Sequence, residues 1–136
     1  MTKELIDQKH TRITCLLQEG DPISSMILEG FQKCLYDYKI AFKKQQILYS
    51  PIDNCYTSLI AHGITGVISA YYSHALMLYE QLVNLHYYIP SSLSLVSLSD
   101  TEEYAHYPHI SCIQVPYHEF GRHVCEALIL QCEKSP

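Results

Sequence analysis

Apolar residues fall along this chain in two alternating textures. Arg12–Leu17, Gln46–Tyr49, Gly66–Ala70 and Ser94–Leu98 are short runs filled by β-branched residues and leucine. Continuous rather than alternating apolarity in such short runs predicts strands buried on both faces, as in a parallel sheet. Ser111–Val115 is a fifth, weaker candidate. Between the runs the apolar spacing changes to three and four. Ser24–Tyr38 carries Ile27, Phe31, Cys34, Leu35 and Tyr38 on one helical face, with Ser24 or Ser25 as its N-cap. Asp53–His62 predicts a short helix opened by Asp53 and stopped by Gly63. Ser73–Leu85 aligns Ala75, Leu78, Leu82 and Leu85 behind a capping Ser73. Tyr117–Gln131 aligns Phe120, Val124, Ala127, Leu128 and Gln131.

The order is β-α-β-α-β-α-β, then a weak strand and a last helix. It predicts an α/β fold: a three-layer α/β/α arrangement with right-handed crossovers and a mostly parallel sheet. Ile13, Leu16, Val67, Ile68, Leu95 and Val96 are expected in the central sheet. In such sheets ligands sit beyond the carboxyl ends of the strands. Those ends are Gln18–Asp21, Ser50–Asp53, Tyr71–Ser73 and Ser99–Glu103. With no internal repeat and no linker, 1–136 reads as one domain.

Composition narrows the function. With 48% hydrophobic and 17% charged residues the chain fits a packed globule rather than a disordered segment. A net charge of −5 and no basic run longer than Lys43-Lys44 do not suit a nucleic-acid-binding surface. DNA is therefore expected only through a domain outside this chain. The polar start after Met1 has no apolar leader-like run, and no stretch of 18 apolar residues occurs, so a cytoplasmic protein without membrane contact is expected. The six cysteines form no CxxC pair, which predicts free, buried thiols.

Other chemistry finds little support. His106-x-x-His109 and His118-x4-His123 approach ligand spacing, but no cysteine pair or carboxylate completes a known zinc pattern, so no metal or cofactor is expected. His118 and His123 are expected on the exposed side of the last helix. Cys15, Cys55 or Cys112 beside a histidine would be needed for nucleophilic catalysis, and no G-x-S-x-G, GxGxxG or P-loop occurs, so no enzyme is expected. Twelve tyrosines are many for 136 residues. Tyr71-Tyr72, at a strand's carboxyl end, is the best ligand-facing pair. The alternative has one ring packed inward and its neighbour outward.

Three segments resemble one family. Tyr88–Leu128 reads YIPSSLSLVSLSDTEEYAHYPHISCIQVPYHEFGRHVCEAL. Ile89-Pro90, the strand Leu93–Leu98, Asp100, Ile110–Ile113, and Pro116 with Gly121 follow the pattern of the lactose/galactose-repressor-type transcription regulators. Arg12–Ile40, with Glu29-Gly30-Phe31 and Leu35, resembles the strand-loop-helix that opens their second sensor lobe, and Gly66–Leu85 resembles the next strand and helix. The resemblance implies one lobe of a periplasmic-binding-protein-like sensor domain, without the DNA-binding domain and the first lobe. It implies a sugar-like effector and a homodimer, with the last helix packing on the first lobe. The departures fall on the sugar contacts. An Arg of the family's first helix is replaced within Ser25-Met26-Ile27-Leu28, an Asn-Asp pair by Tyr71-Tyr72, and the first of two Asp residues by Ser99, leaving Asp100. The candidate ligand-binding set is thus Tyr71, Tyr72, Ser99, Asp100 and Asp21. Two functions follow: an effector-sensing and dimerisation lobe of a regulator, or a stand-alone interaction module of the same fold with no metabolite ligand.

Overall fold

The computed structural model describes residues 1–50, 55–99 and 109–135, with the backbone alone for Cys55 and Ser99. Strands β1 (Ile13–Leu17), β2 (Ile47–Tyr49), β3 (Gly66–Ser69), β4 (Ser94–Ser99) and β5 (Ile110–Gln114) form one parallel sheet in the order β2-β1-β3-β4-β5. The helices are α1 (Thr2–Asp7), α2 (Pro22–Asp37), α3 (Cys55–Ala61), α4 (Tyr72–Asn84) and α5 (Tyr117–Lys134). All six residues expected in the central sheet lie in β1, β3 or β4.

Every residue of β1 is buried, because both faces of the sheet are covered there. On one face Ile13, Cys15 and Leu17 meet Leu5 of α1, Phe31 and Leu35 of α2, and Ile68 and Val96 of the neighbouring strands. On the other face Leu16, Val67, Leu95 and Ile110 meet Leu59 of α3 and Ala75, Leu78 and Leu82 of α4. Handedness explains the split. The chain steps from β1 to β2 in one direction and from β2 through β3 to β4 in the other, so right-handed crossovers place α2 opposite α3 and α4.

Four helices end in the same way. In α3 the Gly63 N–H donates to Ile60 O and the Ile64 N–H to Leu59 O, with Gly63 at φ +60°. That is a Schellman end, in which two otherwise orphaned carbonyls are satisfied by one left-handed residue. The stop expected at Gly63 is therefore present. The same paired bonds close α1 at Lys9 (φ 72°), α2 at Lys39 (φ 57°) and α4 at His86 (φ 57°). A Cβ makes that conformation costly. Lys39→Gly and His86→Gly are each expected to stabilise the chain by about 0.5–1 kcal/mol in urea denaturation.

Helix starts depart from the expected caps. Ser24 does not cap α2. Asp21 does, accepting the Ser24 N–H at 2.8 Å, with Pro22 in the first turn. The Ser24 hydroxyl is buried and accepts the Gln18 N–H at 2.9 Å instead, tying the helix to the loop after β1. Ser73 does not cap α4 either. The helix starts one residue earlier, with Tyr71 at the cap position and no side-chain cap bond. Asp53 lies outside the described residues.

Other corrections concern burial. Leu85 and Tyr38 sit at helix ends and are exposed, not on the packed faces. Gln46 ends a short 3-10 turn rather than starting β2. The polar opening segment, read as no element, forms α1, held to the sheet by Leu5. His10 follows it and joins three strand starts: its Nδ1 lies 3.0 Å from Thr65 Oγ1 and its Nε2 3.0 Å from Ser94 Oγ. Of the cysteines, Cys15 is buried and Cys34 and Cys112 are half-buried, but Cys125 and Cys132 are exposed on α5. No residue of α5 is buried, so His118 and His123 are exposed together with its apolar side chains. The apolar runs hid this, because a local pattern marks a face fit for burial and not whether anything covers it.

Candidate functional site

The carboxyl edge of the sheet is assembled from strand ends and helix starts. Parallel strands point the same way, so the loop after β1, the start of α4 and the start of α5 meet at one edge. Asp21 stands at the N-terminus of α2, where the helix dipole and the Ser24 N–H favour a carboxylate. Tyr71 and Tyr72 follow β3 after the single residue Ala70.

Three of the five candidate residues are described in full, and they come together here. The Tyr71 hydroxyl lies beside the Asp21 carboxylate and interacts with it. The Ser24 N–H first, and the Tyr71 hydroxyl with it, hold Asp21 below the usual carboxylate range. The same interaction with Asp21 raises Tyr71. The two tyrosines diverge. Tyr71 leans on the α1/α2 core and Tyr72 on the α3/α4 core. Both rings are half-buried, one against each core, and both also line the recess described next, so the second alternative, one ring inward and its neighbour outward, is not met. Ser99 closes β4 opposite Gln114 of β5. Asp100 lies outside the described residues.

Between these groups lies a small recess of about 60 Å³ lined by Ile23, Ala70, Tyr71, Tyr72, Leu98, Val115 and Tyr117. Ile23, Leu98, Val115 and Tyr117 were not singled out in the sequence. Val115 and Tyr117 follow directly on β5, so the strand-end rule would have found them had that weak strand been weighted with the others. The lining is apolar or aromatic apart from the tyrosine hydroxyls. It can hold a small flat or apolar group by contact, and it has few bidentate hydrogen-bonding groups to offer.

His74, one turn into α4, packs edge-on against Tyr71 with ring centroids 5.5 Å apart. Its Nδ1 is buried and has no hydrogen-bond partner among the described residues. Desolvation lowers its pKa below the ordinary 6.5. The unfolded chain therefore binds this proton at higher pH than the folded chain does. The His74 contribution is undiminished well above pH 6.5 and is lost as pH falls through it. Stability against urea, measured from pH 7.5 to 5, is expected to fall less steeply in His74→Phe than in the parent chain.

The cysteine chemistry considered above is disfavoured by the same physics. Burial pushes the Cys15 thiol far up and raises Cys112, the reverse of what a thiolate nucleophile needs. The side chain of Cys55 lies outside the described residues. Among the described residues no group of three or more His, Cys, Asp and Glu could hold a metal ion, and no helix is long and apolar enough to cross a membrane. His106 lies outside them.

The fold is shared with solved transcription regulators. The Escherichia coli transcriptional repressor ascG superposes with a TM-score of 0.86 at 19% identity, covering 99% of this chain and 52% of its own. A LacI family transcriptional regulator from Mycobacterium smegmatis gives 0.80 at 17% identity, covering 99% and 54%. The transcriptional regulator CelR, solved as a complex with cellobiose, gives 0.84 at 19% identity, covering 98% and 44%. This chain thus spans about half the length of the structures it matches. No curated protein sequence matches it. The profile of the periplasmic binding protein-like domain does, over residues 2–136. Sheet order and profile agree with the resemblance read from Tyr88–Leu128, and the chain belongs to the periplasmic binding protein-like domain family.

Proposed function

We propose that this chain is an effector-sensing and dimerisation lobe of a bacterial transcription regulator in which the usual sugar contacts have been replaced. The family match supports the regulator, since the structural neighbours of the same fold are regulators rather than enzymes. The observation that carries the altered effector is the Asp21 carboxylate capping α2, with the Tyr71 hydroxyl beside it. A carboxylate that in an open site would face a ligand hydroxyl already has the Ser24 N–H and a tyrosine as partners. An effector therefore has to displace Tyr71 or bind beside it against Tyr117 and Ile23. The site consists of Asp21, Tyr71 and Tyr72, with Ser99 at the end of β4 and Asp100 next to it in the sequence.

Dimerisation rests on α5. Phe120 is 67% exposed and Leu128 55% exposed, and Tyr117 and Val124 extend the same stripe. Soluble monomers rarely present so continuous an apolar patch. A two-fold dimer that buries it needs no change of chain path. DNA contact belongs to a domain outside this chain. The same self-satisfied carboxylate favours a second reading, an interaction module that dimerises and senses no metabolite.

Fusion to a monomeric helix-turn-helix domain whose operator requires two copies tests the dimerisation lobe. Repression is expected with the parent chain and is expected to be lost with Leu128→Glu. A parent fusion that does not repress, although expressed and folded, would overturn the proposal.

A further inference from the structure

The strand ends opposite the candidate site also form a recess. β2, β1 and β3 are parallel neighbours in the sheet, so the segments that lead into them meet at its amino edge. Arg12 precedes β1, Lys43 precedes the short turn into β2, and His62 follows α3 on the way to β3. Together they line a recess of about 310 Å³, the size at which ordinary ligand pockets begin. Ile40 and the buried Ile64 give it an apolar side. Among the described residues no Asp or Glu lines it, although the chain carries a net charge of −5. All its lining residues fall within 11–64, and α5 starts at the other end of the strands.

The cationic residues are held in place from their backbones. The Arg12 carbonyl accepts the Thr65 N–H at 2.9 Å and the Gly66 N–H at 3.3 Å, which fixes the root of its side chain against the start of β3. Its guanidinium lies over Gly63, where a Cβ would come within 2.7 Å of Nη1. The left-handed glycine that ends α3 thus also leaves the space that the guanidinium occupies. Gln46 ties the second segment to the first. Its side-chain amide donates to Ile13 O at 3.0 Å, while its Oε1 accepts the Lys43 N–H at 2.6 Å, so Lys43 is anchored beside the start of β1. His62 Nδ1 donates to Ser58 O at 2.8 Å, which leaves Nε2 as the ring's other polar atom. Among the described residues no carboxylate pairs with Arg12 or Lys43.

We infer that this recess is a second binding site, which takes the phosphate group of a small phosphomonoester with its organic part against Ile40 and Ile64. Two permanent cations match a group that carries about −1.5 to −2 charges at pH 7. A carboxylate brings a single charge and would leave one of them unmatched. The planar Arg12 fork takes two phosphate oxygens, and the Lys43 ammonium, a point charge, takes the third. An anion also favours the protonated form of His62, in which Nε2 is a further donor. The overall negative charge of the chain disfavours a nucleic-acid phosphate at the same place. Asp21 and Tyr71 stand at the opposite end of the sheet, so this site depends neither on the carboxyl-edge candidate nor on the proposed dimer.

Titration of the isotope-labelled chain at constant ionic strength, followed by its backbone amide NMR shifts, tests this with phenyl phosphate, inorganic phosphate and benzoate as probes. Phenyl phosphate is expected to move the Arg12, Lys43 and Gly63 amides saturably, with a dissociation constant of about 1 mM or below, and to leave Asp21 and Tyr71 unmoved. Inorganic phosphate, without the organic part, is expected to bind at the same amides about 3-fold or more weakly, and benzoate about 10-fold or more weakly. Arg12→Gln and Lys43→Gln are each expected to weaken phenyl phosphate by about 10-fold. Lys33→Gln removes the same charge from an exposed position of α2 and is expected to change it by less than about 2-fold. Urea denaturation establishes that the variants fold, as expected for exposed positions. No saturable shift at about 10 mM phenyl phosphate, shifts confined to the carboxyl edge, or equal losses in all three variants overturn the site. Benzoate that binds as tightly as phenyl phosphate overturns the phosphate assignment, and inorganic phosphate that does so overturns the part given to Ile40 and Ile64.

Discussion

Calorimetric titration with arabinose, galactose, ribose and glucose is expected to give no binding tighter than about 1 mM, which corresponds to about −4 kcal/mol. Micromolar binding would require roughly twice that free energy, and among the described residues the carboxyl edge offers few groups to supply it. A monosaccharide loses the water hydrogen bonds of several hydroxyls on entering a site, and each one left unpaired costs about 1–3 kcal/mol. Planar bidentate partners offset that cost. Ile27 and Leu28 of α2 pack against the α1/α2 core, and the resemblance implies an Arg within Ser25–Leu28 and an Asn-Asp pair at Tyr71-Tyr72, neither of which this chain has. The Asp21 carboxylate already accepts the Ser24 N–H, with the Tyr71 hydroxyl beside it. The recess itself, about 60 Å³, is well below the 300 Å³ at which ordinary ligand pockets begin. Micromolar affinity for any of the four sugars would mean that the edge rearranges and that the replaced positions do not define the ligand.

Phe31→Ala is expected to cost about 3–5 kcal/mol in urea denaturation. Among the described residues Phe31 is the largest side chain that is fully buried. It fills the space between α2 and β1 and meets Phe42 edge-on, with centroids 6.3 Å apart at 79°. Removing the ring leaves a cavity beneath α2 and also removes an aromatic pair worth about 0.5–1.5 kcal/mol. Small domains are stable by only about 5–15 kcal/mol, so much of the fold's stability would go. The loss would also reach the candidate site, because α2 carries Asp21 at its N-terminus. Met26→Ala, on the exposed side of the same helix, is the comparison: Met26 is exposed, and the change is expected to stay within about 0.5 kcal/mol. Equal losses at the two positions would mean that α2 is not anchored through Phe31.

The sequence by itself determined the layer architecture, through β1, β3 and β4. Ile13–Leu17 is apolar without alternation because both faces of a central parallel strand are covered, and that signature is carried by the residues of the strand alone. Strand ends follow from strands, so the edge holding Asp21, Tyr71 and Tyr72 was legible once the parallel sheet was inferred. The tertiary structure decided what no local pattern encodes. Ser24, Ser25 and Asp21 are all good caps by residue type, and the need of the Gln18 N–H for an acceptor is what drew the Ser24 hydroxyl away from capping. The left-handed helix ends at Lys9, Lys39 and His86 are stabilised by apolar or ring-bearing residues that follow them and return to the core, a contact between distant segments that overrides the preference for glycine. Tyr71 and Tyr72 look alike in the sequence, and the two faces of the sheet, meeting at the end of β3, send one ring to each core. The stripe on α5 has the spacing of a buried face and is exposed, because burial depends on a partner surface and amphipathic spacing specifies only one side of the contact.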